Sequence, residues 1–527
     1  MAPSTLQENA KPRNKRNINY ASTCAILASM VSIMFGYDVG VISGASLYIK
    51  KDLKITDVQL EILMGVLNLY SLVGAFTAGR TADWIGRRRT VALTAGVFLA
   101  GALLMGLAVD YAMLMAGQFV AGVGAGFALV IAPLYAAEIS PASARGFLSS
   151  FPELLLNLGI LLGYVSNYAF SHLPLRLGWR VMLGAGAAPS ALLVAAALGV
   201  AESPQWLVMK GRLADARAVL EKTSDTPEQA AARLADIRAA AGIPPGLNGD
   251  VITVPRKRAG VEAQAWKELV LSPTPAMRRI LVAAIGLSFF QTATGINAVL
   301  VYTPRLFQSA GIADTDRLLG LTCVVGGAKL LFVVVATFLV DRAGRRPLLL
   351  TSTAGMLVSL VGLGAGLTVV GRHPPGTRIP WAVAQCITAS LAYVSFFSIG
   401  LGPVTAVYAA EILPPPVRAL GLALGMMCNR VAASVASMTF LSLSKAITIG
   451  GCFFLYAGIA ALACVFFFAC LPETRGRTLE EMRRLFGMAD PGMDAERATA
   501  RDGAVEPIDD YELHADHETV ANPPLPR

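Results

Sequence analysis

Residues 133–146 read PLYAAEISPASARG, and residues 406–421 read AVYAAEILPPPVRALG. Each stretch closes a long apolar run with Tyr-Ala-Ala-Glu-Ile, a proline, and an arginine seven residues after the glutamate. Two further marks are written twice. ADWIGRRRT (82–90) is echoed by VDRAGRRPL (340–348), which sets Asp83, Gly86, Arg87 and Arg88 against Asp341, Gly344, Arg345 and Arg346. AESPQWL (201–207) is echoed by LPETRGRTLEEM (471–482). The three marks follow one order in each half, so the chain reads as an internal repeat. Such halves commonly enclose a binding site near the bilayer midplane.

The runs between the marks set the fold class. Of 527 residues, 55% are hydrophobic and only 15% charged, against about 25% charged in soluble domains; the mean hydropathy is +0.58. Apolar stretches long enough to cross a hydrocarbon core about 30 Å thick recur along the chain. We place twelve spans at 20–46, 60–79, 90–109, 113–137, 149–170, 179–200, 280–302, 318–340, 348–370, 381–409, 419–441 and 451–471. The expected fold is an all-α polytopic membrane protein: two six-helix bundles joined by a cytoplasmic helical linker. Its divisions fall at 1–19 (N-terminal tail), 20–201 and 277–471 (bundles), 202–276 (linker) and 472–527 (C-terminal tail). Beyond about residue 489 the tail is acidic and proline-bearing, the composition of a disordered segment.

Basic residues set the orientation. Arg80, Arg87, Arg88 and Arg89 follow span two, a linker rich in Lys and Arg follows span six, and Arg342, Arg345 and Arg346 follow span eight. By the positive-inside rule these connections and both termini face the cytoplasm. Lys50, Lys51 and Lys54 are the main exception. The net charge of +9 follows from this bias, so it is not read as nucleic-acid binding. The first apolar run is too long for a signal-peptide core and is expected to stay as an uncleaved anchor. Seven cysteines inside apolar runs show no paired spacing and give no metal site, and no cofactor is implied. No N-glycosylation sequon occurs. No nucleophile elbow, His-Glu-x-x-His pair or phosphate loop is present, which argues against an enzyme or an ATP-driven pump.

Helix ends expose unsatisfied backbone groups and a partial charge, which Asp, Glu and Arg complement. Glu138 with Arg145, and Glu411 with Arg418, are therefore placed to clasp one another or neighbouring helix ends at a cytoplasmic gate, together with Asp83, Arg87, Asp341 and Arg345. The competing reading makes these groups topology signals only.

In combination, GRTADWIGRRR, PLYAAEISPASARG, AESPQWL, FQTATGIN, DRAGRRP, GPVTAVYAAEILPPPVR and LPETRGRTLEE resemble the sugar porter branch of the major facilitator superfamily over residues 20–487. MFGYDVGVISGA, SFPELLLNLGILLGYVSNYAFS and GRLADARAVLEKTSD look most like plant polyol and monosaccharide transporters. The resemblance implies alternating access by two bundles and transport of polyols or monosaccharides, with protons as co-substrate. A facilitative uniporter and a non-transporting sugar sensor are the alternatives. The plasma membrane is expected over the vacuolar membrane.

A polyol both donates and accepts hydrogen bonds, so its site needs amides, carboxylates and aromatic surfaces. Glu153, Gln291, Thr292, Asn297 and Asn429, with the ring of Phe35, supply these inside the spans. By resemblance they occupy the family's substrate-contact positions; the amides would otherwise bond across helices. Asp38 in FGYDVG resembles the carboxylate that carries the coupled proton. Three departures stand out: Gln118 replaces an arginine usual opposite that aspartate, Thr292 replaces the second of two glutamines, and Ala406 replaces a tryptophan. Glutamine offers no charge to hold Asp38 ionised, so the aspartate is expected to keep its proton more readily than in arginine-bearing relatives. Val301 stands where an aromatic is usual. Lys329 lies too deep in span eight to snorkel, and requires a carboxylate or polar partner that the sequence does not identify. In the linker, Leu207, Leu213, Ala216 and Leu220 recur at helical spacing, and PRKRAGVEAQAW reads as an exposed basic turn.

Overall fold

The computed structural model describes residues 15–141, 144–197, 199–224, 226–243, 273–374, 379–414, 417–475, 481 and 485–486; the side chains of residues 15–18, 145, 146 and 341 are outside this set. The basic turn at 255–266 and the acidic tail beyond 489 fall outside the described residues.

Among the described residues twelve helices are long and apolar enough to cross a membrane. They run Asn19–Asp52, Asp57–Ile85, Arg87–Gly106, Tyr111–Ile139, Phe147–Ala169, Leu175–Ala197, Pro275–Ser309, Thr315–Val340, Arg345–Arg372, Pro380–Ile412, Arg418–Ile447 and Ile449–Cys470. Each matches a span read from the sequence. Most extend a turn or more beyond it, because charged residues at the membrane boundary continue the helix.

Packing repeats with the sequence. Span one packs on five, two on four, three on four, and three on six. The same contacts recur six spans later: seven on eleven, eight on ten, nine on ten, and nine on twelve. The halves meet where span two lies along eleven and span five along eight, a pair of contacts that the repeat relates to each other. Span one can lie very close to span five because the contact is made of glycines. A Cβ on Gly36 would stand 1.9 Å from the carbonyl oxygen of Leu156, and one on Gly159 would stand 2.2 Å from that of Ile33.

Two spans are broken, and both breaks border the centre of the molecule. Span seven stops at Thr294–Gly295, where Gly295 takes φ +93° against the ring of Tyr456. The Tyr393 hydroxyl donates to the freed Thr294 carbonyl at 2.9 Å. Span ten breaks at Gly400. There the Ser352 hydroxyl donates to the Phe396 carbonyl at 2.7 Å and accepts from the Leu401 N–H at 3.1 Å, so the hydroxyl supplies an acceptor for the N–H just past the break.

The linker begins with helices at Pro204–Met209, Leu213–Thr223 and Pro227–Ala240. Leu207, Val208, Leu213, Ala216 and Ile243 form a small core of their own, and Leu220 is buried as the periodicity implied. Arg233 ties this cluster to span four by donating to the carbonyls of Glu138 and Ser140 at 3.2 and 3.0 Å.

Candidate functional site

The doubled marks converge at one end of the bundles, called here the arginine-rich end. Spans three and nine both start there, after Gly86 and Gly344 with φ of +99° and +90°. In the first half, the Glu202 carboxylate accepts the backbone N–H groups of Arg87 and Arg88 at 2.8 and 3.1 Å. In the second, Glu473 accepts those of Arg345 and Arg346 at 3.1 and 3.0 Å. Each carboxylate thus caps the positive end of a helix. Burial alone would push the Glu473 carboxyl up, but the backbone donors of Arg475, Arg345, Arg346 and Thr474 prevail and leave it below the ordinary range. Its stabilising effect is therefore present above the ordinary carboxylate range, near about pH 4.3, and is lost as the pH falls below it. Tyr135 donates to the Ala201 carbonyl at 2.6 Å, and Tyr408 to the Pro472 carbonyl at 2.8 Å, so the repeat extends to the tyrosines of the two opening phrases.

The glutamates of those phrases reach the starts of neighbouring helices, one of the two arrangements that their placement allowed. Arg87 donates from Nε to Glu138 at 3.1 Å and from Nη2 at 3.2 Å, and reaches Asp83 at 2.8 Å. Arg345 pairs with Glu411 at 2.9 Å. Arg418 instead donates to its own turn, to the Leu413 carbonyl at 3.1 Å, while the side chains of Arg145 and Asp341 lie outside the described residues. The clasp thus joins the end of span four to the start of span three, and the end of ten to the start of nine. Tertiary approach outweighs sequence proximity here.

The two clasps differ in environment. The Arg87–Glu138 side chains are 6% and 4% exposed and Ser203 also donates to the glutamate, whereas Arg345 and Glu411 are 14% and 30% exposed. Removing one partner of a buried ion pair costs about 3–5 kcal/mol, and of an exposed pair about 0–1. Glu138→Gln is expected to lower the unfolding temperature in detergent by several degrees and Glu411→Gln by much less. Thermal-shift measurement of both variants checks this ordering.

At midspan, three of the polar residues read from the sequence, Gln291, Thr292 and Asn429, form one connected set in the second half. Asn429 donates from Nδ2 to Gln291 Oε1 at 2.7 Å and to the Ser288 carbonyl at 3.1 Å. Gln291 donates to the Gly402 carbonyl at 2.9 Å, beside the break in span ten. Thr292 is buried, and its hydroxyl donates to the Asn429 carbonyl at 3.2 Å. Asn297 is half-buried, just past the break in span seven. Ala406 is exposed and Val301 is buried.

Sequence reasoning missed Arg430. It donates to Asn429 Oδ1 at 2.9 Å and, across the halves, to Asn68 Oδ1 at 3.3 Å. Its guanidinium lies over the ring of Phe35, 5.9 Å from the centroid. A charged residue this far inside Arg418–Ile447 was as legible a signal as Lys329. Lys329 finds its partner in the other half too: its Nζ donates to Asn157 Oδ1 on span five. Asn157 in turn donates to the Glu153 carbonyl and carboxylate, at 2.7 and 3.1 Å. Glu153 is exposed.

Asp38 and Gln118 lie in the first half, on spans one and four. Asp38 is 5% exposed and Gln118 1%. The Oδ2 of one and the Oε1 of the other are buried acceptors with no donor among the described residues. At the end opposite the arginines the halves are joined again. Glu61 accepts the Ser442 N–H at 2.6 Å and its hydroxyl at 2.5 Å, and Lys445 reaches Asp57 at 2.5 Å. Among the described residues no group of histidine, cysteine and carboxylate side chains could hold a metal ion.

Comparison with known proteins fits this arrangement. The family model described as "Sugar (and other) transporter" matches residues 24–486. The chain belongs to that family. Among its relatives, "Putative polyol transporter 1" of Arabidopsis thaliana is 56% identical over 482 residues, covering 92% of this chain and 94% of that protein. "Polyol transporter 5" of the same plant is 56% identical over 477 residues, covering 90% and 88%. The glucose transporter GlcP of Staphylococcus epidermidis is 31% identical over 87% of this chain and 95% of its own. Among solved structures, the major facilitator superfamily proton:xylose symporter XylE bound to 6-bromo-6-deoxy-D-glucose has a TM-score of 0.71 at 26% identity, covering 89% of this chain and all of that one. Membership makes the chain a multi-pass membrane transporter rather than an enzyme, with the major facilitator fold.

Proposed function

We propose that the chain is a secondary active transporter that carries polyols and monosaccharides across a membrane by alternating access, with protons moving alongside. The observation that carries the solute reading is the amide pair Gln291–Asn429, bonded to the Gly402 carbonyl beside the break in span ten and linked through Arg430 to Asn68 of the other half. Amide and carboxylate groups at membrane depth are costly unless they serve a solute pathway. The names of the plant relatives support polyols, and GlcP and the xylose symporter support monosaccharides.

Asp38 is the proposed proton carrier. A buried carboxyl with an oxygen that meets no donor suits the neutral form, which a proton from one side supplies and release to the other completes. The likeness to a proton:xylose symporter supports this coupling. The alternative, an uncoupled uniporter, draws on Gln118, which gives Asp38 no cation to drive proton release.

The arginine-rich end is placed in the cytoplasm, with both termini, by the positive-inside rule. The halves are tied at the opposite end by Glu61–Ser442 and Lys445–Asp57, while Glu153, Gln291 and Arg430 keep partial exposure. This supports a cytoplasm-facing state, with the outer side closed. The plasma membrane is the proposed location, and the domain divisions given above are its proposed units.

Uptake into proteoliposomes from a panel of acyclic polyols, hexoses and pentoses tests the solute class. Saturable uptake of a polyol or monosaccharide is expected. Flux of none of them by protein that is folded and inserted would sink this reading.

A further inference from the structure

Arg430 has a place in the site that the amide set alone does not explain. Its guanidinium is the hub of three elements: Asn429 on its own span, Asn68 on span two and the face of Phe35 on span one. Two consequences follow from this position. Asn429 Oδ1 accepts from Arg430, so its amide nitrogen must be the atom that donates to Gln291; Arg430 thereby fixes the orientation of both amides. The ring of Phe35, read from the sequence as an aromatic platform, is covered by the guanidinium and is closed to a sugar ring. Ala406 supplies no second platform. A pyranose presents an apolar C–H face that stacks on aromatic rings, whereas an open-chain polyol presents hydroxyl oxygens along its length. A planar guanidinium fork meets two adjacent oxygens well.

We infer that Arg430 is the specificity-determining residue of this site, and that it selects open-chain polyols over pyranoses by presenting a guanidinium edge where an aromatic face would otherwise stand. The inference rests on the solute-transport reading above and deepens it. Lysine keeps the charge but loses the fork, so Arg430→Lys separates the two. Glutamine keeps two donors and removes the charge. An aromatic at this position frees a stacking surface.

The test measures KM and maximal rate for one open-chain hexitol and one hexopyranose in the same proteoliposomes, for wild type, Arg430→Lys, Arg430→Gln and Arg430→Trp. Each variant is checked for a monodisperse elution profile and for unfolding temperature. The wild type is expected to prefer the hexitol. Arg430→Lys and Arg430→Gln are expected to raise the hexitol KM by about tenfold or more and the pyranose KM by distinctly less, because the amides that Arg430 orients serve both solutes. Arg430→Trp is expected to turn the preference towards the pyranose. A merely structural role would lower the maximal rate for both solutes together and leave the KM ratio unchanged, and that result overturns the inference. An unchanged ratio in the Lys variant alone, if it is folded and active, also does so. A wild type that carries neither solute defeats the transport reading instead, which keeps the two failures apart.

Discussion

Replacing Asp38 with asparagine is expected to abolish accumulation of solute against its gradient while leaving downhill exchange intact. Asparagine matches the carboxyl in size and keeps the neutral character that the site favours, yet cannot take up or release a proton. The carboxyl is 5% exposed and has one oxygen without a donor among the described residues, so a lasting bare charge there would cost several kcal/mol. Gln118 is the natural place to alter this. Gln118→Arg supplies the missing cation beside span one and is expected to make uptake more steeply dependent on external pH. Wild-type uptake is expected to vary weakly over the acidic range, because the site is already loaded. The check is accumulation measured against pH for wild type, Asp38→Asn and Gln118→Arg. Identical profiles for the three would remove Asp38 as carrier and favour the uniporter.

The second large effect belongs to Gln291. Its side chain bridges Asn429 and the Gly402 carbonyl at the break in span ten, so Gln291→Ala removes a solute contact and leaves each of these partners short of one hydrogen bond. Each such loss costs about 1–3 kcal/mol, or roughly ten- to hundredfold in affinity. Uptake is expected to be nearly lost and the unfolding temperature to drop. Glu153→Ala is expected to weaken uptake to a similar degree with a smaller loss of stability, because Glu153 is exposed and, among the described residues, its carboxylate bonds to Asn157. Equilibrium binding and thermal shift measured on the same preparations distinguish these outcomes. Normal binding in both variants would place the site elsewhere.

The fold was legible because apolar length and doubled marks are strong signals, and twelve spans emerge where the runs lie. Broken spans seven and ten were foreshadowed only by ATGIN and SIGLGP, whose glycines allow a break without requiring one. Partner identities were harder to read. Glu138 pairs with Arg87 through the packing of spans three and four, and a spacing of seven residues to Arg145 carries no information about that contact. Lys329 demanded a partner, but Asn157 sits in the other half and is an ordinary polar residue in sequence. Arg430 escaped notice because the neighbouring Asn429 absorbed the functional reading, although its charge made it the more costly group to bury. Glu61 stands at the edge of the apolar run 60–79, and only the approach of spans two and eleven makes it a tie between the halves.

Coupling is the centre of this account, and one measurement tests it most directly. Proteoliposomes loaded with a pH-sensitive dye, at equal pH inside and out, receive an inward gradient of a polyol that the panel shows to be carried. Coupled entry predicts that the lumen acidifies as solute flows in, at a rate that scales with solute flux and vanishes in Asp38→Asn. In the converse arrangement, an inward gradient of one pH unit is worth about 1.36 kcal/mol and supports up to about tenfold accumulation at one proton per solute. Solute entry with no change in luminal pH, at the same flux, would contradict proton symport.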